Sequence, residues 1–94
     1  MSVSQEILYQ IIKIDPMATF AWGIKEITHG KNRLTLKTSG LVKWKGYVQI
    51  NYNEVTDLYD IEFFRVRGNQ LKVDSTVYGV FCEDLVRIID EQVG

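Results

Sequence analysis

The segment from Asp57 to Val73 constrains the fold of this 94-residue chain more than any other stretch of the sequence. Apolar and polar residues alternate along it on both sides of Gly68-Asn69, a pair typical of the two-residue turn of a β-hairpin. Beyond Tyr78-Gly79 the period changes to that of a helix, with apolar residues at Phe81, Leu85, Ile88 and Ile89. The segment therefore predicts two antiparallel strands and a closing helix over residues 80–92.

Another helix is predicted at the N-terminus, over residues 3–14, because its apolar residues follow helical spacing. Ser2 or Ser4 can cap this helix, since serine side chains accept hydrogen bonds from its first free backbone N–H groups. Asp15-Pro16 predicts its end, because a residue that precedes proline is disfavoured in the α region. The apolar stripe consists of Ile7, Leu8, Ile11 and Ile12.

Residues 18–78 predict five strands joined as an antiparallel meander. The first strand runs from Phe20 to Thr28, with a bulge at Lys25-Glu26 that keeps Ile27 on the inner face. A three-residue loop, Thr38-Ser39-Gly40, leads to the third strand, with Gly40 in the left-handed conformation. The other residues predicted to face inward include Phe20, Trp22, Ile24, Leu34, Leu36, Val42, Trp44, Val48, Ile50, Leu71, Val73 and Val77.

A turn centred on Asn53-Glu54 predicts how the third and fourth strands pair. In this register apolar residues face apolar ones and charges face counter-charges, and such agreement on both faces favours it. The next turn, Gly68-Asn69, pairs Val66 with Leu71 and requires a second bulge at Phe63-Phe64. The cross-strand pairs of the first turn are Val48–Tyr59 and Trp44–Phe63 on the inner face, and Lys45–Glu62 and Tyr47–Asp60 on the outer face.

Together these elements predict an α+β fold in the order α-β-β-β-β-β-α, with residues 1–94 forming one domain. The five-stranded antiparallel sheet has one apolar face, and each helix has one apolar stripe. We therefore expect the N- and C-terminal helices to pack on the same face of the sheet and the other face to remain in water.

The composition excludes several classes of protein. A hydrophobic fraction of 46% and a charged fraction of 24% are ordinary for a globular domain and argue against a disordered chain. The single cysteine, Cys82, excludes an intramolecular disulfide, which fits a reducing compartment. The N-terminus lacks the pattern of a secretory signal, and no apolar run approaches the roughly 18 residues of a membrane span. We therefore expect a cytoplasmic protein with no membrane partner.

Four motifs follow one another in residues 55–94. They are Asp57-x-Tyr59-Asp60-Ile61-Glu62-Phe63, then Val66-Arg67-Gly68, then Val73, and finally Val80-Phe81 at the start of an acidic and aliphatic helix. Together they resemble a set of small bacterial proteins that phages, prophages and other mobile elements carry. Phe64 departs from that pattern, in which a smaller or more polar residue is expected. The resemblance implies a bacterial accessory protein with no assigned activity, and it carries over no functional residue.

Residues able to carry chemistry are few and scattered. His29, the only histidine, lies in a predicted turn with no nucleophile near it in sequence, so we expect it to be exposed to solvent. Cys82 lies in the first turn of the closing helix, where the dipole could lower its pKa, but a buried structural thiol is the favoured interpretation. Asp60 and Glu62 could act in acid–base catalysis, but salt bridges across the strands are favoured. We predict no catalytic residue, no metal site and no cofactor.

Basic residues are concentrated in the first half of the chain. Residues 1–46 carry seven Lys and Arg against three acids, whereas residues 47–94 carry four against nine. Basic side chains around an exposed aromatic ring can bind single-stranded nucleic acid, although a pI of 5.7 argues against strong binding to DNA. The candidate binding surface, on the outer face of the second and third strands and the adjoining turn, consists of Lys31, Arg33, Lys37, Lys43, Lys45 and Tyr47.

We therefore interpret the chain as a non-enzymatic accessory module of a bacterial mobile element that binds an unknown protein partner. The first alternative is an accessory protein that binds nucleic acid weakly through the basic outer face, and the second is an enzyme. The sequence predicts neither the identity of the partner nor the oligomeric state.

Overall fold

Five strands form a single antiparallel sheet, and their order across the sheet is their order in the chain. The computed structural model describes residues 1–40 and 43–94. It confirms the predicted α+β fold, a five-stranded antiparallel meander with an N-terminal and a C-terminal helix. The elements are α1 (Val3–Ile14), α2 (Ala18–Ala21), β1 (Ile24–Gly30), β2 (Arg33–Thr38), β3 (Tyr47–Asn53), β4 (Leu58–Arg67), β5 (Gln70–Val80), a 3₁₀ turn (Cys82–Asp84) and α3 (Leu85–Val93).

The hydrophobic core joins both terminal helices to one face of the sheet, here called the inner face. Ile7 and Ile11 of α1 are fully buried, whereas Ile12, which was predicted to belong to the same stripe, is 42% exposed. Fully burying a side chain of this size contributes roughly 1.5–3 kcal/mol, so this core is the main source of stability. The remaining core residues include Leu34, Leu36, Val48, Ile50, Tyr59, Ile61, Phe63, Leu85, Ile89 and Val93.

Both ends of α1 follow the sequence signals. The Gln5 N–H donates to Ser2 Oγ at 3.1 Å, and the Ser2 N–H donates to Gln5 Oε1 at 3.0 Å, which makes a capping box. Asp15 ends the helix in an extended conformation, as the following proline predicts.

Two polar side-chain contacts link parts of the fold that are far apart in sequence. Trp22 is 2% exposed, and its Nε1 donates to Asp90 Oδ1 of α3 at 3.1 Å. The Tyr59 hydroxyl of β4 donates to Gln10 Oε1 of α1 at 3.1 Å. Burial raises the pKa of Tyr59, which keeps this hydroxyl protonated as a donor.

The predicted first strand is wrong at its N-terminal end. Phe20 lies in the short helix α2 and is 75% exposed, although it was expected to face inward in a strand. Asp15 Oδ1 accepts the Met17 N–H at 3.0 Å, and this turn directs the chain into a helical conformation. The strand begins only at Ile24, and the predicted bulge at Lys25 is confirmed by the register shift there.

The connection between β2 and β3 is longer than the predicted three-residue loop, because β3 begins only at Tyr47. Trp44, which was predicted to lie in the third strand, is part of this loop. Gly40 has the predicted left-handed conformation, with φ of 74°. Val42, which was predicted to face inward, lies outside the described residues.

Thr38 holds the loop closed from the end of β2. Its side chain is buried, and its hydroxyl oxygen accepts the Gly46 N–H at 3.0 Å. The same hydroxyl has two carbonyl acceptors for its proton, those of Trp44 at 3.2 Å and Gly46 at 3.1 Å. A buried hydroxyl with these partners is fully satisfied, so Thr38 stabilises the loop instead of weakening the core.

The register predicted for β3 and β4 is wrong by four residues. Val48 pairs with Phe63 and not with Tyr59. The difference arises in the turn, where Asn53 Oδ1 accepts the Val55 N–H at 2.9 Å and Asp57 takes a φ of 57°. This side-chain-supported turn needs four residues between the strands instead of two. Because a shift of four is even, each residue keeps its predicted face.

The shifted register changes which charges meet on the outer face. Glu62 lies opposite Gln49, and Asp60 lies opposite Asn51, so the predicted pairs with Lys45 and Tyr47 are wrong. The predicted contact between Trp44 and Phe63 nevertheless forms, with ring centroids 5.8 Å apart at 89°. It forms because the loop folds Trp44 over Phe63, although the two residues do not pair across strands.

The β4–β5 hairpin has the predicted turn, and its register shifts at the predicted position, although the extra residue lies on β5 and not at Phe63-Phe64 of β4. Val66 pairs with Leu71, and the register shifts between Phe63 and Phe64. The extra residue is Asp74 of β5, because Phe63 pairs with Ser75 and Phe64 with Val73.

The position of this bulge moves two apolar residues to the outer face. Val73 pairs with Phe64, and Phe64 pairs on its other side with Tyr47 of β3, which lies on the outer face. Val73 therefore lies on the outer face as well. Leu71 and Val73 are 57% and 46% exposed, so the prediction that they face inward is wrong. An extra residue in a strand switches the side chains on one side of it to the opposite face of the sheet. Here the extra residue, Asp74, follows Val73, so Leu71 and Val73 lie on the face opposite to the one predicted.

The closing helix begins later than predicted. Val80 still belongs to β5, where it pairs with Tyr59, and it is 4% exposed. Phe81 is extended and 57% exposed instead of lying on the helix stripe. The helix proper starts at Leu85, after the 3₁₀ turn, because pairing with β4 keeps the chain extended as far as Val80.

Candidate binding surfaces

The basic residues predicted to form one surface lie at opposite ends of the sheet. Lys31 lies in the β1–β2 turn, and Arg33 is the first residue of β2 after it. The β3–β4 turn lies at the same end of the sheet, which we call the turn end. Lys37, Lys45 and Tyr47 lie where the β2–β3 loop and the β4–β5 hairpin leave the sheet; we call this the cleft end.

Two of the predicted cations already have partners. Lys43 lies apart from both ends, since its Nζ donates to the Glu91 carbonyl of α3 at 2.7 Å. Lys37 Nζ lies 3.6 Å from Glu26 Oε2, and both side chains are more than a third exposed. Exposed ion pairs contribute about 0–1 kcal/mol, so Lys37 can exchange this partner for another at little cost.

A cleft of about 630 Å³ opens at the cleft end, and we name it the basic cleft. Among the lining residues that the structure describes, none is acidic. Lys37, Lys45 and Tyr47 belong to the predicted surface, whereas the other cationic residues do not. The five cationic lining residues are Lys25, Lys37, Lys45, Arg65 and Arg67.

Three irregular features bring these cations together. Lys25 is the unpaired residue of the β1 bulge, and Lys45 lies on the loop that Thr38 closes. Arg65 and Arg67 lie where β4 continues past its last partner in β3. The two arginines were not predicted to belong to this surface, because the predicted register placed Asp60, not Phe64, opposite Tyr47. The four-residue turn signal at Asn53 could have corrected this.

One wall of the basic cleft is fixed by three side chains. Arg65 Nη2 donates to Asp74 Oδ1 at 3.0 Å, and its buried Nε makes an ion-pair contact of 2.8 Å with Oδ2 without a hydrogen bond. Trp44 Nε1 donates to Asp74 Oδ2 at 2.9 Å. The Trp44 hydrogen bond, followed by that of Arg65, holds the pKa of Asp74 below its ordinary value of 3.8. Asp74 therefore neutralises Arg65. The role of Arg65 is to shape the wall of the cleft, and it contributes little free positive charge.

Tyr47 is engaged within the protein. Its ring stacks on that of Phe64, with centroids 5.2 Å apart and an interplanar angle of 10°. Lys37 Nζ lies over the Tyr47 ring, 5.8 Å from the centroid, in a cation–π contact. A nucleobase could stack on Tyr47 only by displacing one of these groups.

The outer edge of the sheet along β5 is a second candidate surface. In the described part of the chain β5 pairs with β4 alone, so its other side is open there along a strand of 11 residues. Large apolar side chains are exposed along it at Leu71, Val73 and Tyr78, and across from Leu71 at Val66. We call Val66, Leu71 and Val73 the apolar strip.

His29 has a partner that its sequence position did not indicate. It lies at the end of β1, and its Nδ1 is 2.6 Å from Ser4 Oγ of α1. Ser4 is 1% exposed, and among the described residues no carboxylate hydrogen-bonds the His29 ring. A buried serine and an unsupported histidine lack the third group that orients a catalytic base. The contact therefore fastens α1 to the edge of the sheet.

Cys82 differs from both expectations for it. Its thiol is partly exposed in the 3₁₀ turn and donates to Glu83 Oε2 at 3.3 Å. The hydrogen bond to this carboxylate, followed by burial, raises the pKa of Cys82, whereas the less favoured interpretation had the helix dipole lower it. The thiol is thus held in its less reactive form.

Within residues 1–40 and 43–94, no group of three or more His, Cys, Asp and Glu side chains is arranged to hold a metal ion. No helix in the same part of the chain is long and apolar enough to cross a membrane. In comparisons with known proteins, no family model, curated protein or solved structure matches the chain.

Proposed function

We propose that this chain is a non-enzymatic binding module whose β5 edge pairs with an extended segment of a protein partner. Its setting is the cytoplasm of a bacterium, as an accessory protein of a mobile element, and the resemblance of residues 55–94 supports that setting. The open, apolar β5 edge is the observation that carries the proposal.

An open strand edge offers a row of unpaired backbone N–H and C=O groups, which an added strand can satisfy. The opposite edge, β1, has 7 residues and exposes few apolar side chains. Both edge strands carry bulges, β1 at Lys25 and β5 at Asp74, so length and apolar exposure are what distinguish the two edges. β5 combines a longer edge with the exposed side chains of Leu71 and Val73, which a partner could cover.

The chemistry of the partner follows from the apolar strip. An extended segment that pairs with β5 places every second side chain on the outer face. Apolar residues at those positions would cover Leu71 and Val73, as alternate side chains confer specificity in strand addition. The partner segment should therefore alternate apolar and polar residues.

The engaged side chains of the other candidates support a non-enzymatic role. Ser4 holds His29, and Glu83 holds Cys82 in its protonated form. Neither contact supplies an activated nucleophile with an oriented base.

Affinity purification from the source bacterium with matched baits tests the proposal. We expect the wild-type bait and Val55→Lys to retain the same protein, and Leu71→Lys and Val73→Lys to lose it. Val55 is a matched control because it is 95% exposed, apolar and located at the turn end.

Hydrogen exchange on the purified complex then locates the contact. Amides of residues 70–77 should become protected, together with an extended segment of the partner. Retention of the protein by all four baits, or protection confined to other elements, would contradict the proposal.

A further inference from the structure

Beyond the proposed protein partner, we infer that the basic cleft binds single-stranded nucleic acid through its backbone phosphates. The inference uses residues of β1, the β2–β3 loop and β4, whereas the proposed function uses the open side of β5. The two can therefore fail independently.

The cleft holds cationic charge that the protein does not neutralise. Among the described residues, no carboxylate forms an ion pair with Lys25, Lys45 or Arg67, and all three side chains are exposed. Lys37 adds a fourth charge, whose contacts are the exposed pair with Glu26 at 3.6 Å and the cation–π contact with Tyr47. Like charges gathered in a concave site focus the potential and attract an anion.

The shape of the cleft favours a single strand over a duplex. Its volume of about 630 Å³ is that of a pocket for a small molecule, in the range of roughly 300–1,000 Å³. A pocket of this size takes a few groups of a flexible chain, while a double helix would contact only its rim. Gly68 lines it with open space where a side chain would lie, which leaves room for a backbone to enter, whereas Trp44 packs against Gly46.

The chemistry of the cations favours phosphate over carboxylate. Arg65, whose planar fork could hold a carboxylate with two hydrogen bonds, is already bound to Asp74, which leaves Arg67 as the one free guanidinium among the described lining residues. Lys25 and Lys45 are point charges, which suit phosphate oxygens without demanding one geometry. A nucleic-acid strand supplies regularly spaced phosphates to cations that come from three separate elements.

The cleft should bind strands with little preference for sequence. Phe64 and Lys37 occupy the Tyr47 ring, so the cleft has no free aromatic platform for bases. Contacts to phosphate position a strand without reading its bases. Affinity should therefore depend on charge and salt more than on base identity.

Fluorescence anisotropy of a labelled oligothymidylate, measured over a range of salt concentrations, tests the inference. Three phosphate contacts, each contributing about −0.7, should give a slope of about −2 in a plot of log affinity against log salt. The combined variant Lys25→Ala, Lys45→Ala and Arg67→Ala should lose about tenfold or more in affinity, and its slope should approach zero.

The matched control removes the same charges elsewhere. Lys13→Ala, Lys31→Ala and Arg33→Ala together also delete two lysines and one arginine, but from α1 and the turn end. This variant should retain most of the affinity and the slope. Thermal unfolding of each variant checks that it folds.

Three outcomes would overturn the inference. The first is no saturable binding of the oligonucleotide by the wild-type protein. The second is an equal loss of affinity in the control variant, which would indicate attraction by overall charge. The third is equal binding of a polyglutamate peptide, which would assign the cleft to an acidic protein segment instead.

Discussion

The turn end and the cleft end of the sheet use their polar residues in opposite ways. At the turn end, Asn32 Nδ2 donates to Glu54 Oε1 at 2.6 Å, and the Tyr52 hydroxyl donates to Asp57 Oδ1 at 2.5 Å. The first bond joins the β1–β2 turn to the β3–β4 turn, and the second lies within the β3–β4 turn. At the cleft end, Lys25, Lys45 and Arg67 face a cavity with no acidic residue in the described part of its lining.

The two ends of this small sheet therefore have different roles: the polar contacts of the turn end stabilise the fold, and the proposed binding surfaces lie at the cleft end. Hydrogen bonds between neighbouring turns make the turn end complete by itself, so it has little to offer a partner. The cleft end also has an internal frame, formed by Thr38, Trp44 and Asp74, and the same end carries free charges and the apolar strip. The proposed binding at this end therefore depends on residues whose removal should leave the fold intact.

Removing the indole ring of Trp44 should have the largest effect. Trp44→Ala should lower the free energy of unfolding by about 3 kcal/mol, because it deletes the edge contact with Phe63 and leaves a gap above it. Urea unfolding measures this loss. Trp44→Phe should recover most of it, since that variant keeps a ring against Phe63 and loses only the hydrogen bond to Asp74. A stable Trp44→Ala protein would show that the frame does not hold the cleft end.

Thr38→Val should have the next largest effect. The variant leaves the Gly46 N–H without its acceptor in a buried site, which should cost about 1–3 kcal/mol. Thr35→Val, on the outer face of the same strand, is the matched control and should change the free energy of unfolding by less than about 0.5 kcal/mol. Equal losses in the two variants would indicate a general effect of β2 and not a specific closure of the loop.

Asp74 should make the cleft end sensitive to acid. Because its pKa is lowered in the folded state, its contribution to stability is present above its ordinary pKa of 3.8 and is lost as the pH falls below that value. The difference in stability between the wild type and Asp74→Asn should therefore shrink in that acidic range. Chemical unfolding measured across it provides the check, and a difference independent of pH would contradict the assignment.

The turn end should respond least, and to base instead of acid. The hydrogen bond to Asp57 raises the pKa of Tyr52 from 10.0 to about 12, so its contribution to stability is complete below pH 10 and is lost as the pH rises towards 12. Tyr52→Phe should have a smaller effect on unfolding than Thr38→Val. In the wild type, phenolate absorbance should reveal a tyrosine that titrates late, and the variant should lack it.

The sequence predicted those parts of the fold in which local signals decide the structure. The proline after Asp15, the Gly68-Asn69 turn and the two bulges are short-range features, and each is present. The predictions failed where the decision depended on a side chain bonding to the backbone. Asn53 lengthened its turn, and Asp15 directed the chain into α2.

The basic cleft was predictable only in part, for the same reason. Lys37, Lys45 and Tyr47 were found from their alternation on the outer face, which a shift of four residues does not change. Arg65 and Arg67 were missed, because the register alone determines that β4 continues past β3 at these two residues and brings them beside Lys45 and Tyr47. Lys43 was misplaced because its position depends on the long loop and on its contact with α3.

The identical order of the strands in the chain and in the sheet has a consequence for how the protein folds. Every strand pair joins neighbours in sequence, and such local contacts favour rapid folding. The helices, in contrast, dock through pairs as far apart as Gln10 and Tyr59, separated by 49 residues, and Trp22 and Asp90, separated by 68. We therefore expect the meander to form first and the helices to close over it last. Pulse-labelled hydrogen exchange should accordingly show amides of β3 and β4 protected before those of α1, and the reverse order would contradict this sequence of events.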